Sequence, residues 1–145
     1  MHPVIVENSY DVPAAQLWAL VTDYKALVQV MEGIVSFEGL PEGRVETGQK
    51  IDVTVSLFGI LPNQPYRMEV LECDNANMFF RSSETGAGVK SWHHTARVIE
   101  TETGCRLIDE IDIDAGWRTP LFRVWARFLY TARHRPRLRL LAGKT

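Results

Sequence analysis

An α+β fold is predicted by three features of the sequence: an antiparallel sheet of about six or seven strands, two short helices after the first strand and a long C-terminal helix. The hydrophobic period is 2 through the middle of the chain. It lengthens to about 3.6 in two brief stretches near the start and one long stretch near the end. Turn residues separate the alternating runs, and no Gly-, Pro- or Ser-rich linker, internal repeat or low-complexity stretch interrupts them, so residues 1–145 read as a single domain.

The first strand is carried by Val4 and Val6, continued by Asn8 and Tyr10, and ends at the turn signal Asp11-Val12-Pro13. Pro13 suits a first helical position, because its φ is already helical and its missing N–H needs no partner there. Ala14, Leu17, Trp18 and Val21 then recur at helical spacing. Asp23 is placed to cap a second short helix with Tyr24, Leu27, Val28 and Met31 on its buried side. Val35 and Phe37 mark a short strand. The clearest strand follows, where Ile51, Val53, Val55 and Leu57 alternate with Asp52, Thr54 and Ser56, which puts the apolar set on the dry face, toward the last helix.

After the break at Pro62 to Pro65, Tyr66, Met68 and Val70 repeat the alternation, and Phe79 and Phe80 anchor another strand before the loop Gly86-Ala87-Gly88. Trp92, His94, Ala96 and Val98 share one face of the next strand. Across the turn at Glu102-Thr103-Gly104 that face continues with Leu107, Asp109, Ile111 and Ile113, the signature of a hairpin. The last helix begins after Gly116 with Thr119 placed to cap it and Pro120 in its first turn. Leu121, Val124, Trp125, Phe128, Leu129 and Ala132 form its expected dry stripe, opposite Arg123, Arg127, Tyr130 and His134. Pro136 should end this helix near Arg135, leaving Arg137 to Leu141 as a short second piece or tail.

This order of elements resembles the START-like or helix-grip superfamily (SRPBCC), which includes Bet v 1-like proteins, polyketide cyclases and bacterial ligand-binding proteins. The resemblance spans nearly the whole chain. It is carried by Val12-Pro13-Ala14-Ala15-Gln16-Leu17-Trp18 through Asp23-Tyr24, by Trp92-His93-His94 with Leu107-Ile108-Asp109, and by Arg133-His134-Arg135 with Leu138 and Leu140. What it implies is a curved sheet gripping the long helix, with an apolar cavity between them. Some relatives carry a second histidine two positions after the first, where this chain has Ala96, a departure that weakens the transfer of a catalytic role.

The ligand residues expected for such a cavity are Val53, Val55, Tyr66, Met68, Phe80, Arg81, Trp92, His94, Leu121, Trp125 and Phe128, which together supply aromatic and aliphatic lining with a few polar groups. The same stripes also describe a solid core. The expected ligand is small and hydrophobic, of lipid, isoprenoid or polyketide type. The alternative is an enzyme resembling a polyketide cyclase or dehydratase, with His94 and Asp109 as catalytic residues and Tyr66 or Arg81 steadying an enolate. If Ala96 pairs with Asp109 across the hairpin, His94 lies diagonal to Asp109 at a Cβ separation of about 7 Å, and a carboxylate there would orient an imidazole for proton transfer. The duller reading is a satisfied polar pair that fixes register.

No metal or other cofactor is expected. His93 and His94 point to opposite faces of a strand, no HxH or HxxxH spacing exists, His2 and His134 sit near the ends, and Cys73 and Cys105 form no CxxC pair. Gly86-Ala87-Gly88 lies between strands and lacks the third glycine of a phosphate loop. The acidic run Asp109, Glu110, Asp112 and Asp114 reads as the solvated face of an edge or surface strand, with Arg67, Arg81 and Arg97 as partners on other strands.

The net charge of -2 hides a basic pole: residues 118 to 145 hold seven arginines and Lys144 with no acid. Arg133, Arg135, Arg137 and Arg139 beside Leu138, Leu140 and Leu141 allow peripheral contact with an anionic membrane. A segment packed on the sheet or on a second copy in a homodimer is the plainer alternative. Nucleic acid is not an expected partner, because no base-reading aromatics accompany the arginines and the pI is about 6.1. No run reaches the roughly 18 apolar residues of a membrane span, and the start lacks a signal pattern. With only two cysteines, the expected setting is the reduced cytoplasm.

Overall fold

The computed structural model describes residues 3–143, so His2 and Lys144 lie outside the described residues. Seven strands form one antiparallel sheet: β1 (Val4–Tyr10), β2 (Val35–Glu38), β3 (Lys50–Leu57), β4 (Gln64–Asp74), β5 (Phe79–Gly86), β6 (Val89–Thr101) and β7 (Gly104–Asp114). Their spatial order is β1-β7-β6-β5-β4-β3-β2. Strands β3 to β7 thus meander, while α1 (Ala14–Val21) and α2 (Tyr24–Val30) carry the chain from one edge of the sheet to the other. Irregularities between Val70 and Glu72 in β4, and between Glu84 and Gly86 in β5, bend the strands where the sheet curls. The backbones close tightly at the second, because a Cβ on Gly86 would lie 2.5 Å from the Pro65 carbonyl oxygen and its φ is +117°.

Alternation set the strands as expected. Trp92, His94, Ala96 and Val98 in β6 and Leu107, Asp109, Ile111 and Ile113 in β7 are all buried, and Ala96 pairs with Asp109. The acidic run departs from expectation in its position, since β7 lies between β1 and β6 and is not an edge strand. Glu110, Asp112 and Asp114 nevertheless face solvent, because β7 has one open face. Arg67 and Arg81 pair elsewhere, with Asp52 at 2.9 Å and Glu72 at 3.4 Å.

The helices depart more. Pro13 is the N-cap of α1, one position before the helix, with extended ψ. Asp23 caps α2 by accepting the Lys25 backbone N–H at 3.0 Å. Val28 turns outward at 44% exposure, and Ala26 and Val30 take the buried side with Tyr24. A single 3-10 turn (Gly116–Arg118) precedes α3 (Thr119–Ala132), and α4 (His134–Leu141) follows. Thr119 is already helical. Its hydroxyl accepts the Ala115 N–H at 2.9 Å and donates to the Gly116 carbonyl at 2.7 Å, joining the turn to the helix. The break between α3 and α4 falls at Arg133, three residues before Pro136, because a proline ring clashes with the carbonyl four residues back, here that of Ala132.

The largest correction concerns which face of α3 is buried. Ala126, Leu129 and Tyr130 point into the fold, with Phe122 packed beside them, whereas Leu121 is 68%, Val124 70% and Phe128 47% exposed. The helix has apolar residues on both sides, and the richer stripe is the outer one. A second correction concerns β3. Helix α3 packs on β1 and β7, while Ile51 and Val53 pack with Tyr24 of α2. Only Val55 and Leu57 look toward α3, across a gap.

Candidate functional site

That gap is a cavity of about 120 Å³ between β2 to β6 and α3. Its apolar wall includes Phe37, Val55, Trp92, Phe122, Trp125 and Leu129. A second cavity of about 110 Å³ lies between α2 and β4 to β6, where Leu27, Met68, Phe80 and His94 contribute. Phe37, Tyr66, Glu84, Tyr130 and Arg133 line both, so the two spaces adjoin at a polar partition.

The partition is built from strand parity and the α3–α4 corner. Phe80, Ser82 and Glu84 alternate inward along β5, and both Glu84 oxygens accept hydrogen bonds at 2.8 Å, from the Tyr66 hydroxyl and the Ser82 hydroxyl. Burial, then the Glu84 carboxylate, pushes the Tyr66 phenol well above its ordinary pKa. Burial likewise raises Tyr130. The Arg133 guanidinium stacks 4.2 Å from the centre of the Tyr130 ring, and its buried Nε has no acceptor among the described residues. Tyr66 and Glu84 are thus paired, and the Arg133 side chain lines both spaces beside them.

Behind the partition lies a buried charged cluster. His94 Nε2 and Asp109 Oδ1 are 2.7 Å apart, and the residues are 6% and 1% exposed. Arg137 from α4 is 5% exposed and joins Arg133, His94 and Asp109 around a space of about 30 Å³. Burial by itself would raise the Asp109 pKa, but the hydrogen bond and charge of His94, with the positive charges of Arg137 and Arg133, hold it below the ordinary carboxylate value. His134, desolvated and close to the charge of Arg137, is lowered.

Of the residues expected at the site, Val55, Tyr66, Trp92 and Trp125 line the first cavity, and Tyr66, Met68, Phe80 and His94 the second. Val53 is packed in the core beside Tyr24 and lines neither. Arg81 is corrected: it is exposed and pairs with Glu72, since its neighbours Phe80 and Ser82 occupy the inward positions. Leu121 and Phe128 are corrected with the helix face and stay outside. The basic tail is not uniformly exposed either, because Arg133 and Arg137 turn inward. Glu84, Ser82, Phe122, Tyr130 and Arg133 were not anticipated. For Ser82 and Glu84 the signal was available in their parity with Phe80, whereas Arg133 and Arg137 read as ordinary members of a basic run.

A curled seven-stranded antiparallel sheet closed by a long C-terminal helix defines the Bet v 1-like helix-grip class of α+β proteins. Among solved structures, one from Rhodobacter sphaeroides superposes with a TM-score of 0.74 at 17% identity, covering 98% of this chain and 93% of that one. A Mesorhizobium loti protein gives 0.72 at 15%, covering 97% and 96%. Ara h 8.0201 gives 0.66 at 13%, covering 93% and 97%. Residues 9–141 match the family described as Domain of unknown function (DUF8410), and the chain belongs to that family. No curated protein matches it. No helix among the described residues is long and apolar enough to cross a membrane.

Proposed function

We propose that the protein binds a small, mostly hydrophobic molecule carrying an acceptor oxygen, with its apolar body between the sheet and α3 and its oxygen at Arg133. The observation that carries this reading is the pair of adjoining apolar cavities meeting at a polar partition that the cationic Arg133 side chain lines on both sides. A donor-rich end and aromatic walls favour a carbonyl or carboxylate on a ring or chain, a description that includes isoprenoid, polyketide and fatty compounds. Volumes near 120 Å³ admit one small ring, and a larger ligand enters by displacing Trp125 or Phe37.

The test is native mass spectrometry of the purified protein for a co-purifying apolar compound, followed by titration with the fluorescent polyene cis-parinaric acid and its methyl ester. Saturable binding that shifts with Trp125→Ala is expected, with Arg133→Leu weakening it roughly tenfold for loss of a charged hydrogen bond. Absence of any saturable binding would reduce the cavities to packing gaps. A second reading, proton transfer on a carbonyl ligand, is favoured by the buried His94–Asp109 pair beside the second cavity. Under it, His94→Gln should slow turnover about 100-fold at unchanged binding.

A further inference from the structure

Three residues of the expected dry stripe of α3 belong to an exposed apolar face. Leu121, Val124 and Phe128 repeat at helical spacing at 68%, 70% and 47% exposure, and Trp117, just before the helix, is 89% exposed. The β3–β4 loop extends this face, with Phe58 at 46% and Ile60 at 83% exposure. Loop and helix are in contact: the Phe58 ring meets Trp125 edge-on at 5.8 Å, and Trp125 lies 5.6 Å from Phe128. A contiguous apolar surface of this kind on a folded chain marks a place of contact.

Its charge selects the partner. Arg118 and Arg127 border the stripe, and each donates to a backbone carbonyl, of Gly88 and of Ile5. Arg123 lines the same shallow groove with Val124 and Phe128. From residue 118 onward the sequence contains no acid at all. A two-fold pairing of this face with itself would stack arginines on arginines. Aliphatic and aromatic side chains ringed by arginine match instead the boundary of an anionic bilayer, where the apolar groups enter the acyl region and the guanidiniums meet phosphates.

We propose that the outward face of α3, with Trp117 and the Phe58 to Leu61 loop, docks on anionic lipid surfaces. The proposal stands apart from the ligand reading, because it concerns the opposite side of the helix.

The experiment is co-sedimentation and tryptophan fluorescence of the full chain with phosphatidylcholine vesicles, with and without phosphatidylglycerol. Binding is expected only with phosphatidylglycerol, to weaken as salt rises, and to shift the emission to the blue. Trp117→Phe should abolish most of that shift while leaving sedimentation in place. Arg118→Glu combined with Arg127→Glu should lower affinity about 100-fold or more, and Leu121→Ser combined with Val124→Ser should lower it at unchanged thermal stability. Equal binding to neutral vesicles, or none to either, overturns the proposal. So does sedimentation velocity revealing a dimer that Leu121→Ser dissolves in a protein that ignores vesicles, which would assign the face to a second copy.

Discussion

Replacing Asp109 by leucine tests the buried cluster most directly. The carboxylate is 1% exposed, accepts from or shares a proton with His94 Nε2 at 2.7 Å, and opposes the positive charges of Arg137 and Arg133. Asp109→Leu is close in volume, but it leaves buried His94 without its hydrogen-bond partner and removes the negative charge that offsets Arg137, itself 5% exposed. Removing one partner of a buried ionic group destabilises by about 3–5 kcal/mol. At about 2.1 cal/mol/K per residue, the unfolding entropy of 145 residues is about 0.3 kcal/mol/K, so the Tm should fall by about 10–17 °C. Thermal melts followed by far-UV circular dichroism at neutral pH read this out. Asp109→Leu combined with Arg137→Leu should recover part of the loss, because no charge is then left alone inside. A single variant melting within about 3 °C of the parent, the range of a surface change, would refute the electrostatic role given to the cluster.

The same carboxylate sets a pH dependence. Its folded pKa lies below the unfolded value of about 3.9, so its contribution is complete above that pH and is lost as the pH falls through the folded pKa; urea melts below about pH 4 should weaken in the parent and less so in Asp109→Leu. The orientation of α3 is checked by stability: Leu129→Ala, at 7% exposure, should lose about 2–5 kcal/mol, whereas Leu121→Ser should stay within about 0.5 kcal/mol. Equal losses in chemical denaturation would mean that the burial of the helix is misassigned. Gly86→Ala should lose about 1–3 kcal/mol, since its Cβ would meet the Pro65 carbonyl at 2.5 Å; an unchanged denaturation midpoint would contradict that close approach.

What the sequence determined by itself is everything that follows from local period and local chemistry. Side chains alternate on a strand whatever lies opposite, so Ile51, Val53 and Val55, and the hairpin faces around His94 and Asp109, were legible, and the short turn after Thr101 set the register that pairs Ala96 with Asp109. The Asp23 cap was equally local. Parity also excludes Arg81 from the Phe80 face, since neighbours on a strand point to opposite sides. The tertiary structure alone decided what covers each face. Apolar residues occur on both sides of α3, and period measures where hydrophobicity concentrates, so Leu121, Val124 and Phe128 outweighed the small Ala126 and the amphipathic Tyr130 that are in fact buried. Arg133 and Arg137 were hidden for a related reason. An arginine in a basic run is ordinarily solvated, and only the break opposite Pro136 turns the chain so that Arg133 stacks on Tyr130 and both arginines line the same small spaces as Asp109 and Glu84, residues distant in sequence.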